Sequence, residues 1–166
     1  MEGLFDEVAD IVRGMAPPEL GEVRVRARHY GIKVWFGADE PGREHYEAQV
    51  IGARDVKGAK QCALEVGFHS EYPKTAENDA VLATIVASER QWRRVVGKEA
   101  IAGPFLGRAD VWRRVSETWP DPDLDAPELP LEIALRLVDY VSALEPVRRE
   151  HTSTRTQLPQ RAARKK

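Results

Sequence analysis

The stretch EVRVRARHYGIKVWF, residues 22–36, alternates apolar and polar side chains along most of its length. Successive side chains of an extended chain point to opposite faces, so this alternation predicts half-buried β structure. Gly31 divides the stretch and predicts a tight hairpin between two strands, with a bulge in one long strand as the alternative. The face expected to be buried carries Val23, Val25, Ala27, Ile32, Val34 and Phe36.

Two further stretches show the same alternation. Apolar residues occupy every second position in residues 46–50 and again in residues 62–68. The intervening residues 38–43 contain Asp, Pro and Gly, which are typical of turns, and connections this short favour antiparallel neighbours. The sequence therefore predicts a four-stranded, mainly antiparallel sheet.

Helical spacing of apolar residues is found on both sides of this predicted sheet. Before it, residues 4–15 form a predicted helix that ends ahead of Pro17 and Pro18. After it, we expect three helices, within residues 75–96, 111–119 and 130–145, with a loop over residues 97–108 and a stop at Pro146. The predicted fold class is α+β, with a single domain over residues 1–147 and a basic, disordered tail over residues 148–166.

Composition narrows the classes of protein that this chain can belong to. Hydrophobic residues make up 42% of the chain, but no apolar run exceeds seven residues, whereas a membrane-spanning helix needs about 20. The acidic N-terminal segment does not have the charge pattern of a secretory signal. Cys62 is the single cysteine, which excludes an internal disulfide. We expect a cytoplasmic protein that does not contact membranes, and no motif indicates a cofactor or a metal.

The formal charge of −2 is unevenly distributed along the chain. Residues 148–166 contain seven Lys and Arg against one Glu, a net charge of +6, so the remaining residues carry −8. A basic tail of this kind can bind nucleic acid or an acidic protein by counterion release.

One face of the predicted sheet suggests the leading functional hypothesis. Alternation places three arginines, a lysine and a tryptophan on that face, a combination that can hold phosphates and stack on a base. We therefore expect a non-catalytic binding or accessory module with nucleic acid or another polyanion as partner. The alternative is that Glu47, Gln49 and Glu65, on the same face, simply pair with these cations. The anion-binding residues of this hypothesis are Arg24, Arg26, Arg28, Lys33 and Trp35, with Arg161, Arg164, Lys165 and Lys166 of the tail.

A competing hypothesis makes the protein a metal-dependent hydrolase of nuclease or phosphatase type. Glu47, Glu65 and His69, with Glu71 and His45 nearby, could hold a divalent ion that activates water. The sequence contains no HExxH motif, and its His-x-Glu has no P-C-x-x-C partner. A third hypothesis, a protein-protein interaction module without preference for anions, requires neither set of residues.

Overall fold

A computed structural model describes residues 2–157 of the chain, with side chains through Glu150. Six strands form one antiparallel sheet: β1 (Val23–Arg28), β2 (Gly31–Phe36), β3 (Glu44–Gly52), β4 (Cys62–Ser70), β5 (Ile101–Pro104) and β6 (Arg113–Pro120). Their order across the sheet is β1-β2-β3-β4-β6-β5. The four main helices are α1 (Leu4–Met15), α2 (Thr75–Val86), α3 (Glu89–Val96) and α4 (Leu129–Gln157). The predicted α+β class and N-terminal helix are confirmed.

The hairpin predicted from residues 22–36 is present. Arg28 pairs with Gly31, so that His29 and Tyr30 alone form the turn. β3 and β4 continue the meander in register from Glu44, opposite Ser70, to Gly52, opposite Cys62. Alternation was a sufficient signal here because one face of these strands is apolar and covered by helices.

The predicted count of four strands and three C-terminal helices is wrong. Residues 111–119, predicted to be helical, contain strand β6, which pairs with the outer edge of β4. The predicted loop 97–108 contains the short edge strand β5. β6 carries polar side chains on both faces, and several of them have tertiary partners; Glu117, for example, contacts Arg136 and Tyr140. These partners are far away in the sequence and cannot be recognised from it. The spacing of apolar residues three and four apart was therefore the only local pattern, and it predicts a helix.

The helices also differ from prediction in two places. Residues 75–96 form two helices, α2 and α3, rather than one. α4 does not stop at Pro146 but continues through it to Gln157, past the predicted domain boundary at residue 147. Proline inside a helix removes one backbone hydrogen bond, yet the residues that follow are held by side-chain contacts. Arg148 lies 2.7 Å from Glu44, and Arg149 lies 3.1 Å from Glu145.

The apolar core lies between one face of the sheet and the helices. α4 packs against β3 and β4, while α1, α2 and α3 pack against α4. No helix in the described part of the chain is long and apolar enough to cross a membrane. The largest apolar and aromatic side chains of this core are Tyr46, Leu64, Phe68, Ile85, Trp92, Ile133, Leu137, Tyr140 and Leu144.

Candidate metal centre

The opposite face of the sheet carries a cluster of charged side chains at the centre of the meander. His45 and Glu47 are two residues apart on β3 and therefore share this face, and His69 of β4 lies directly opposite His45. Lys33 of β2 pairs with Glu47 from the other side. Glu71 follows β4, and its backbone N–H donates to the carbonyl of Arg43, which extends the ladder by one bond.

Two imidazoles and two carboxylates converge in this cluster. His45 Nε2 and His69 Nδ1 lie 3.1 and 3.2 Å from Glu47 Oε2. Glu71 Oε1 lies 3.6 Å from His45 Nε2 and 3.8 Å from His69 Nδ1. One ligand atom from each of the four residues lies within 4.8 Å of the others. Four ligands held about 2.1 Å from a tetrahedral ion lie roughly 3.4 Å from one another, so this spacing suits a metal.

The outer nitrogen of each imidazole faces an oxygen outside the cluster. His45 Nδ1 lies 3.1 Å from the carbonyl of Gly42, which can only accept, so Nδ1 carries a hydrogen and Nε2 faces into the cluster. His69 Nε2 lies 3.4 Å from Glu65 Oε1, at ion-pair distance but outside hydrogen-bonding geometry. Metal-ligating histidines typically have such an outer acceptor, which fixes the orientation of the ring.

Glu65 is positioned to support His69 rather than to enter the cluster. It is fully buried. Ser116 donates to one of its carboxylate oxygens at 2.6 Å, and Gln49 donates to the other at 2.9 Å. Burial alone would raise the pKa of Glu65, but the charge of His69 and these hydrogen bonds outweigh it and lower the pKa to about 2. Glu65 therefore stays ionised at neutral pH.

Gly67 lies between Glu65 and His69 on β4 and allows β6 to approach closely. A Cβ atom at this position would lie 2.3 Å from the carbonyl oxygen of Val115 and 2.5 Å from Ser116. Both distances are far below van der Waals contact. The missing side chain thus lets Ser116 reach Glu65.

Two positively charged groups, Lys33 and His69, lie in the cluster where a divalent ion would bind. Lys33 Nζ lies 2.9 Å from His45 Nε2 and about equally far, 3.4 and 3.5 Å, from Glu47 and Glu71. Burial disfavours a charged His69, but the carboxylates of Glu65 and Glu47 outweigh burial and raise its pKa to about 9. A divalent cation can therefore replace one ammonium and one imidazole proton without changing the charge of the cluster.

The cluster is open on one side only. His45 and His69 are buried, and Phe105 packs edge-on against the ring of His69 with centroids 4.6 Å apart. The side chains of Glu47, Glu71 and Lys33 are 12, 16 and 18% exposed and form the opening. A groove of about 340 Å³ adjoins this opening and is lined by residues 28–33, Glu47, Gln49 and Val50.

The structure brings together the residues of the predicted hydrolase site. Glu47 and His69 lie in the cluster with His45 and Glu71, whereas Glu65 lies outside it, against the outer nitrogen of His69. Lys33, predicted to bind anions, belongs to this same cluster. Sequence reasoning missed Ser116 because it lies in β6, and missed the carbonyl of Gly42 because backbone atoms leave no signal in a sequence.

The predicted anion-binding residues differ in whether they are available to bind an anion. Arg24 pairs with Glu22 and Asp39, and Arg26 pairs with Glu40 at 2.5 Å. Trp35 is only 6% exposed and donates its indole N–H to the carbonyl of Ala38, so its ring is not an open stacking surface.

Arg28, in contrast, makes no ion pair with the described side chains of residues 2–150. Arg24, Arg26 and Arg28 make no ion pair with Glu47 or Glu65, whereas Arg114 of β6 lies 3.8 Å from Glu65. Arg161, Arg164, Lys165 and Lys166 lie outside the described residues, and binding of nucleic acid or an acidic protein by the tail stays a prediction.

Comparison with family models, curated proteins and solved structures finds no match to this chain.

Proposed function

We propose that this protein is a metal-dependent hydrolase in which His45, Glu47 and His69 hold one divalent transition-metal ion. The observation that carries the proposal is the convergence of two buried imidazoles, each oriented from outside, on a shared carboxylate oxygen. Two histidines and one carboxylate with a further position left for water is a ligand set used by catalytic zinc sites. Imidazole and carboxylate together suit Zn²⁺, Mn²⁺ or Fe²⁺. This proposal departs from the expectation, drawn from motifs, that no metal is bound.

Glu71 is positioned to act as the general base. Of the two carboxylates in the cluster, that of Glu71 lies farther from the imidazole nitrogens than that of Glu47 and is the more exposed. It therefore borders both the ion position and the opening. A metal ion lowers the pKa of a water that it binds to near neutrality. Glu71 would accept a proton from that water while the water oxygen bonds to the substrate. Lys33 must leave the centre of the cluster when the ion enters.

The proposal is tested first by metal binding to the full chain after removal of bound ions with a chelator. We expect isothermal titration with Zn²⁺ and Mn²⁺ to give one ion per chain, and Co²⁺ to produce visible absorption bands. Glu47→Gln and His69→Gln should weaken binding by more than about 100-fold, since loss of outer partners alone costs about 10- to 100-fold. His29→Gln, which changes an exposed turn histidine, is the matched control. Equal binding by all variants would remove the assignment.

Turnover separates binding from catalysis. With saturating metal, p-nitrophenyl acetate and p-nitrophenyl phosphate provide a neutral and an anionic ester. Glu71→Gln should bind metal normally but lose about 100-fold or more of the turnover rate, the usual contribution of a positioned base. Full metal binding without turnover of either ester in the unmodified chain would leave a metal-binding protein and reject the hydrolase.

A further inference from the structure

The groove beside the cluster differs in character from the rest of the polar face. Its volume of about 340 Å³ falls at the lower end of the range for small-molecule pockets. Glu47 and Lys33 line it and also belong to the cluster, so the groove borders the cluster at these two residues. At its other end lies the two-residue turn of the β1–β2 hairpin.

Arg28 is the cation of this groove that has no ion-pair partner within the described residues 2–150. Arg24 and Arg26 occupy equivalent positions on the same strand, but both are neutralised by acids of the neighbouring turn or loop. Arg28 therefore presents an unpaired guanidinium, a group that binds phosphate through two parallel hydrogen bonds. Lys33 also lines the groove, but its ammonium is paired with Glu47 and Glu71.

Tyr30 provides an aromatic surface at the same groove. It is 61% exposed although it is a large aromatic residue, and its ring contacts His29 edge to face with centroids 4.4 Å apart. The hairpin turn holds it beside Arg28 and Lys33. An exposed ring of this kind offers a face on which a planar base can stack.

We propose that the substrate is a nucleotide-type phosphate ester that lies in this groove, with its phosphate held by Arg28 and its base stacked on Tyr30. This inference rests on the proposed hydrolase. Hydrolysis forms a bond from the water oxygen to phosphorus and breaks the phosphorus–oxygen bond to the ribose. One water proton passes through Glu71 to the leaving ribose oxygen, so the products are a nucleoside and inorganic phosphate.

A single nucleotide suits the groove better than a nucleic-acid strand does. A strand requires a row of available cations to follow its backbone, whereas two of the three arginines on β1 are already paired with acids. The residues before the tail carry a net charge of −8, which also repels an extended polyanion.

Binding of AMP, ribose 5-phosphate and adenosine to the metal-loaded full chain tests the inference. Arg28→Ala should raise the Kd of AMP and of ribose 5-phosphate by about tenfold or more, since charge-assisted hydrogen bonds are lost. Arg24→Ala, from the same strand and face, is the matched control and should leave both unchanged. Tyr30→Ala should raise the Kd of AMP about tenfold and leave ribose 5-phosphate unchanged.

The outcomes separate this inference from the proposed function. Metal binding with turnover of p-nitrophenyl acetate, but with no AMP binding or with equal AMP binding by Arg28→Ala and Arg24→Ala, would overturn the substrate class and leave the hydrolase. Failure of metal binding would reject the hydrolase itself. An adenine oligonucleotide that binds more tightly than AMP, and depends on Arg24 and Arg26 as much as on Arg28, would identify a strand-binding surface and overturn the inference.

Discussion

Glu65 shows how a single buried side chain can matter to a centre without entering it. Its carboxylate faces the outer nitrogen of His69 and is fixed by Ser116 and Gln49. Alternation along β4 was enough to predict that Glu65 and His69 share a face. The assignment of Glu65 to the outer position required the distances, because residues two or four apart on a strand look equivalent in sequence.

Replacement of this carboxylate should weaken the metal site without abolishing it. We expect Glu65→Gln to lower Zn²⁺ affinity by about 10- to 100-fold, the usual effect of removing an outer partner. Glu22→Gln, at an exposed position just before β1, serves as the control. Competition with a chromophoric zinc chelator measures both. A loss as large as that of Glu47→Gln would show that Glu65 is itself a ligand.

The close approach of β4 and β6 requires that residue 67 has no side chain. Gly67→Ala should destabilise the fold by about 2 kcal/mol or more, because its methyl group would overlap backbone atoms of β6. Gly14→Ala, which meets no atom within 4 Å in helix α1, should instead stabilise by about 0.5–1 kcal/mol. Urea unfolding monitored by circular dichroism gives both values. Equal effects of the two substitutions would contradict the close approach of β4 and β6.

The ionised cluster should make the stability of the metal-free protein depend on pH at both ends. The pKa of His69 is raised from 6.5 to about 9, so its contribution is fully present below pH 6.5 and is lost as pH rises through 9. The pKa of Glu65 is lowered from 4.5 to about 2, so its contribution is present above pH 4.5 and is lost as pH falls toward 2. Unfolding in urea and chelator from pH 5 to 10 should show the alkaline loss, and His69→Gln should flatten it.

At the scale of elements, a strand or helix could be predicted from the sequence when its residues contact neighbours that are close along the chain. β1 to β4 were predictable because their apolar alternation is repeated by neighbours along the chain. β6 was not, because Ser116 and Glu117 are satisfied by Glu65 and Arg136 from remote elements. The same reason explains α4, in which Arg148 and Arg149 dock onto the sheet and helix after a proline that normally ends a helix.

Arg148 should prove to be part of the folded unit. It contacts Glu44 and Glu145 at 2.7 and 2.5 Å and lies over the ring of Phe68. We expect Arg148→Met to destabilise the protein by about 2 kcal/mol, because two partly buried carboxylates each lose one charged partner. Arg13→Met removes an exposed pair with Asp10 and should cost less than about 1 kcal/mol. Thermal unfolding of the two variants provides the comparison, and equal values would show that α4 is not anchored there.

At the scale of the whole molecule, the two faces of the sheet have different roles. One face builds the core with the helices, and the other carries the charged cluster on strands that this core supports. Rigid central strands would hold the proposed ion with little rearrangement of the backbone, although the Lys33 side chain has to move out of the cluster. Binding should therefore stabilise the entire fold rather than a local loop.

Metal should raise the unfolding temperature of the complete chain. At a free ion concentration of 100 times Kd, the linkage is worth about 2.7 kcal/mol, which corresponds to roughly 5–10 °C for a domain of this size. A chelator should reverse the shift, and Glu47→Gln should not show it. An unchanged midpoint with Zn²⁺, Mn²⁺ and Co²⁺ at millimolar concentration would contradict a site of useful affinity.

The continuity of the meander has a consequence for how the centre forms. Lys33, His45, Glu47, Glu65, His69 and Glu71 all come from the unbroken stretch 31–71, joined by short turns. Contacts between residues close in sequence need little loop closure and form quickly. The residues of the charged cluster thus all lie in the first half of the chain. Ser116, which supports Glu65, lies in β6 in the second half. The cluster therefore depends on contacts within one stretch of chain, whereas the support of Glu65 by Ser116 depends on the long-range pairing of β4 with β6.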